Sequence, residues 1–153
     1  MALLNYTTEV AWQKSVGQIV ALLVGSGVSA VMQEYEAGYV SAVCFKARTE
    51  FGEMGFRLPA DVQKTQQVLK DEYAAKRIGR RYANDSAHAR NVAWRILFVW
   101  IEAQVALIQI GLVKVEQVFL PYAQNDAGET LYEALQKSRF KGLALPDRKR
   151  EQA

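Results

Sequence analysis

The sequence predicts a single α+β domain: a three-stranded antiparallel meander packed against an N-terminal helix and a long central helix, with short C-terminal helices. Three observations lead there. Val92 to Gly111 carries Ala93, Ile96, Leu97, Trp100, Ile101, Leu107 and Ile108 at the i, i+3, i+4, i+7 spacing of a helical face. Residues 28–58 read as three short runs rich in β-branched and aromatic side chains. The links at 37–38 and 49–52 are too short for parallel crossovers, so the runs fold back on one another.

In chain order, Thr7 and Thr8 precede a helix to about Val24, with Trp12, Val16, Ile19, Val20 and Leu23 on one face. Gly25-Ser26-Gly27 ends it. The strands are Val28 to Glu36, Tyr39 to Arg48 and Gly52 to Leu58, with Ala37-Gly38 as the first turn. Met54, Phe56 and Leu58 face one way and Arg57 the other, whereas Val40 leaves both faces of the second strand partly apolar. Pro59 closes the sheet. Residues 61–84 are polar with a thin apolar stripe (Val62, Val68, Leu69, Tyr73, Ile78), a surface helix or partly ordered arm broken near Gly79.

Ser86 is placed to cap the central helix and Gly111 to end it. Phe98, Val99, Val105 and Ile110 widen its stripe until it nearly closes, as for a helix covered on several sides. Arg95, Glu102, Gln104 and Gln109 interrupt the run and argue against a membrane span. Glu102, amid apolar neighbours, is expected on the least buried edge or beside a basic partner. Val115, Val118, Phe119 and Tyr122 suggest a short helix, and Thr130-Leu-Tyr-Glu133 a capping box opening another to about Ser138. Residues 1–141 form the domain; residues 142–153 form a basic, extended and mobile tail.

The chain has 153 residues and a net charge of +3, enough length for one domain with a real core. The charge is segregated. Residues 61–95 hold 8 basic and 4 acidic groups, residues 96–135 hold 1 and 5, and residues 136–153 hold 6 and 2. The single cysteine, Cys44, excludes a disulfide framework, and the single histidine, His88, excludes His-based zinc sites. No secretory signal pattern opens the sequence, so a cytoplasmic location is expected.

Catalytic constellations are not found. The order helix, three strands, helix is also that of the restriction-type nuclease core, which needs a carboxylate two residues before a lysine on the third strand. The nearest pattern here is Cys44-Phe-Lys46, with a cysteine in the carboxylate's place. Glu34 and Glu36 read as solvated strand-end charges, Cys44 as a small core residue and His88 as a surface residue. No metal and no cofactor is expected, and the chain is read as a non-enzyme.

One run rises above the rest: Lys76, Arg77, Arg80, Arg81 and Tyr82 bring four cations and an aromatic ring into seven residues. Such a run suits phosphate contacts and base stacking, as in proteins that bind single strands. Arg148-Lys149-Arg150 would extend its field if the tail folds back.

Trp94-Arg95-Ile-Leu-Phe-Val-Trp-Ile101-Glu-Ala103 through Gly111, Phe119-Leu120, Gly128-x-Thr130, Leu143-Ala-Leu-Pro146 and Phe56-Arg57-Leu58-Pro59 together resemble a family of proteins encoded by tailed phages and prophages. The resemblance implies a mobile-element setting and carries no activity with it. Members place lysines in the middle of the central helix, where this chain has Glu102 and Gln104. The functional expectation is a small phage-type accessory protein that binds nucleic acid through residues 76–82. The alternative is a protein-interaction module, acting on a host or phage protein or assembling with itself. Exposed apolar surface near Phe119 would favour the alternative.

Overall fold

A computed structural model describes residues 1–145. Helix α1 (Trp12–Gly25) leads into strands β1 (Ala30–Glu36), β2 (Tyr39–Thr49) and β3 (Gly52–Pro59). Then come α2 (Val62–Ala74), a 3-10 turn at Arg80–Tyr82, and α3 (Ser86–Gln109). The chain closes with α4 (Val115–Val118), a second 3-10 turn at Leu120–Tyr122, β4 (Ala123–Gln124) and α5 (Leu131–Lys137). The α+β class and the antiparallel meander are as expected. The sheet, however, has four strands in the order β1-β2-β3-β4, since the two residues of β4 pair with Gly55 and Phe56. Two residues are too few to show an alternating pattern, so this strand leaves no trace in the sequence.

Strand β2 resolves its own apparent ambiguity by a bulge. Glu34 pairs with Ala42 and Tyr35 with Val40, which leaves Ser41 as the extra residue. That one-residue shift turns Val40 onto the face already holding Val43, Phe45 and Ala47, and all four are buried together. The Ala37-Gly38 turn has φ of 51° and 84°, the paired left-handed geometry that follows the twist of a tight hairpin.

Helices α1 and α3 cover that face and run parallel. The Trp12 N–H donates to Asn91 Oδ1 at 2.9 Å, and Arg95 Nη1 donates to Gln18 Oε1 at 2.6 Å. Asn91 thus satisfies a free donor of the first turn of α1. Thr8 instead accepts the Val10 N–H at 3.2 Å in a local turn. By length and mean hydropathy α3 passes for a membrane span. Here Trp94, Phe98, Ile101 and Val105 enter the main core, while Ala89 and Val92 enter a second one.

The stripe on α3 does not close. Glu102, Ala103, Ala106 and Gln109 are exposed, so the helix is covered on two sides rather than all round. Glu102 lies at the rim of an open groove of about 350 Å³ between α1 and α3, lined also by Gln18, Leu22, Phe98 and Val105. It therefore takes the exposed-edge position expected of it, where its charge stays in water.

Phe119 is 1% exposed and offers no apolar surface itself, while the adjacent Leu120 is 44% exposed. Its ring stands edge-on to Phe45, Phe56 and Trp100 at centroid distances of 5.3, 6.2 and 5.6 Å. The segment after α3 is in this way pinned to the sheet. Thr130 opens α5 as expected, accepting the Glu133 N–H at 3.3 Å, although the Glu133 carboxylate accepts from the Thr130 hydroxyl rather than from its backbone N–H. Residues 142–145 begin with turn bonds to the Phe140 carbonyl rather than extended chain, and the remainder of the expected tail lies outside the described residues.

Phe119→Ala removes a ring from this cluster and is expected to cost about 3–5 kcal/mol. Urea unfolding monitored by tryptophan fluorescence measures it; a loss below about 1 kcal/mol would mean the cluster repacks without the ring.

Candidate nucleic-acid interface

The basic run is built by the way α2 ends. Asp61 opens that helix by accepting the Lys64 N–H at 2.9 Å. At the far end Lys76 adopts φ of 60°. The Arg77 N–H donates to the Glu72 carbonyl and the Lys76 N–H to the Tyr73 carbonyl, both at 2.9 Å. This is the double closure usually made around glycine, here made around lysine. The helix consequently stops at Ala74, five residues before Gly79, where the break is expected from sequence.

Beyond the stop, Ile78 and Ala83 turn inward and are buried. Lys76, Arg77, Arg80 and Arg81 turn outward and are exposed. The Tyr82 N–H donates to the Gly79 carbonyl at 3.2 Å and the Ala83 N–H to that of Arg80 at 3.1 Å, which tightens the turn between the two anchors. Asp85, not Ser86, then caps α3 by accepting the Ala87 N–H at 2.9 Å. A carboxylate outcompetes the neighbouring hydroxyl there because it also meets the positive end of the helix dipole.

None of the four cations forms an ion pair among the described residues. Lys46, Arg57, Lys64, Lys114 and Lys137, by contrast, sit beside Glu53, Glu34, Asp61, Glu50 and Glu129. The nearest acids are otherwise engaged: Glu72 is buried and accepts the Leu3 N–H at 3.1 Å, and Asp85 holds its cap. Positive charge at the end of α2 also suits that helix's dipole.

Tyr82 does not join the cations as a stacking platform. Its ring is half-buried, stands edge-on to Tyr6 at 5.2 Å and lies 5.4 Å from His88. Arg81 covers it further, with its guanidinium carbon 4.6 Å from the ring centroid. The open ring on this stretch is that of Tyr73, 41% exposed near the end of α2. Tyr82 is consumed by packing because residues 2–6 lie over it, a long-range contact with no local signal.

The remaining candidates also shift. His88 is half-buried, with Nε2 2.6 Å from the Tyr6 carbonyl oxygen, rather than a surface residue. Glu34 is not a solvated strand end: Arg57 Nε donates to its Oε2 at 3.0 Å, and Cys44 Sγ donates to its Oε1 at 3.4 Å across the strands. Glu36, two residues further along β1, is exposed. Burial, then the hydrogen bond to Glu34 and its charge, push the Cys44 thiol up from 9.0 to about 11, with Arg57 opposing. That thiol stays protonated at neutral pH and is a poor nucleophile. Among the described residues, no three His, Cys, Asp or Glu side chains come together as metal ligands would. Arg148-Lys149-Arg150 lie outside the described residues.

Two measurements check this geometry. Between pH 9.0 and about 11 an unfolded Cys44 ionises while the folded thiol does not, so the native state holds the extra proton. Stability should therefore fall as pH rises through that window, and Cys44→Ala should remove this part of the fall. Lys76→Gly relieves the left-handed backbone and should raise stability by up to about 1 kcal/mol; a clear loss of stability would contradict the assigned helix stop. Compared with known families, curated proteins and solved structures, the chain matches none.

Proposed function

We propose that the protein binds nucleic acid through Lys76, Arg77, Arg80 and Arg81, as a small non-enzymatic accessory protein of phage or prophage type acting in the cytoplasm. One observation carries the reading: four exposed cations, without carboxylate partners among the described residues, project from a turn whose flanking Ile78 and Ala83 are buried. Cations already paired with carboxylates gain less from phosphate, whereas these, with only Arg81 resting on a ring, remain open to a polyanion. Single strands are the favoured form, because Tyr73 offers an exposed ring on the same stretch and a base can stack on it only when unpaired.

A second reading has its own support. Val24, Phe51, Ile110 and Leu112 are 59, 80, 74 and 66% exposed. The Lys114–Glu50 pair, at 2.9 Å, brings the β2–β3 turn beside the segment after α3. Exposed apolar groups gathered at one end suit a protein partner or a second copy.

Binding to single-stranded and duplex oligonucleotides, titrated over salt, tests the first reading. Affinity for single strands should fall with salt, with a log–log slope of about 0.7 per phosphate contacted. Arg80→Ala with Arg81→Ala should flatten that slope by about 1 to 1.5. No affinity at low salt would refute the reading, and an assembly seen by light scattering would then favour the second.

A further inference from the structure

The hydrophobic interior is divided unequally. The main core gathers fourteen buried residues from α1, the sheet, α3 and Phe119. The second holds four among the described residues, Leu69, Ile78, Ala89 and Val92, between α2 and the start of α3. Helix α2 packs mainly on α3 and on the Arg80–Tyr82 turn. A four-residue core of this kind is too small to hold a 13-residue helix by itself.

Val62, Tyr82 and Ile96 extend it locally, and the segment before α1 closes over it. Ala2, Leu3 and Tyr6 pack against the four buried residues. Three directed contacts fix the segment: Leu3 N–H donates to Glu72 Oε2 at 3.1 Å, the Tyr6 carbonyl accepts from His88 Nε2 at 2.6 Å, and the Tyr6 ring stands edge-on to Tyr82 at 5.2 Å. Glu72 is 6% exposed, a buried carboxylate whose hydrogen bond comes from this segment. A buried polar group tolerates the loss of its hydrogen-bond donor poorly. The contacts reach α2, the basic turn and α3 at once.

We propose that residues 2–6 are a latch that holds α2 and the basic turn on α3, and that this unit opens as one body while the main core stays folded. Glu72 is the positioning residue: its carboxylate touches the latch, and through the latch it sets whether Lys76 to Arg81 are presented on a fixed surface or on a loose arm. The inference is independent of what the cations bind.

Hydrogen exchange of the full chain, read by mass spectrometry, tests it with three variants. Leu3→Pro removes the donor N–H and leaves Glu72 in place. Glu72→Ala removes the acceptor, and Glu72→Gln keeps an acceptor oxygen there. With Leu3→Pro and Glu72→Ala, exchange across residues 62–83 should quicken about tenfold or more while residues 40–47 and 96–105 change less than about twofold. Glu72→Gln should stay near the parent. Unchanged exchange in 62–83, equal acceleration of both regions, or Glu72→Gln behaving like Glu72→Ala would each overturn the latch.

Discussion

Everything in this structure depends on α3 serving two cores at once. Trp94, Phe98, Ile101 and Val105 fill the interior against the sheet and α1, while Ala89 and Val92 fill the smaller one against α2. A helix with one apolar stripe could do only the first. The unusual breadth of apolar positions along residues 89–108 is therefore a requirement of the architecture, and it is also why the segment imitates a membrane span. The two cores differ greatly in apolar content. Because burial contributes roughly in proportion to apolar area, the main core holds the domain together and the second holds only its own corner.

How the helices end shows what the sequence could and could not reveal. All four longer helices close with the same pair of backbone bonds around a left-handed residue. In α1 and α3 that residue is glycine, Gly27 and Gly111, and both stops are readable from the sequence. In α2 and α5 it is Lys76 and Arg139, residues that ordinarily continue a helix, so nothing local marks the stop. The same distinction runs through the sheet. The three long strands are legible from alternation, whereas the Ser41 bulge and the two-residue β4 come from strand pairing, which is tertiary.

The candidate interface was half legible for the same reason. Four cations crowded into six residues are visible as composition, and they are exposed because Ile78 and Ala83 occupy the inward positions. The fate of Tyr82 was not visible, since Tyr6 reaches it only after residues 2–6 fold over α3. Glu34 followed the same logic: a carboxylate near a strand end looks solvated until Arg57, two strands away in the chain, is laid beside it. Residue type set the chemistry available, and long-range packing decided which groups remained free to use it.

The same helix also sets the distance between the two surfaces that stand out. The cations lie just before α3 begins, while Ile110 and Leu112 lie just after it ends, with Val24 at the matching end of the parallel α1. Twenty-four helical residues rise about 36 Å, comparable to the diameter of a small domain. A ligand on the basic turn would leave the apolar end uncovered, and a partner on the apolar end would leave the cations free. Nucleic-acid binding on the one surface and protein contact on the other would therefore not compete for one patch. The main core lies between them, so release of α2 from α3, as proposed, would leave the apolar end in place.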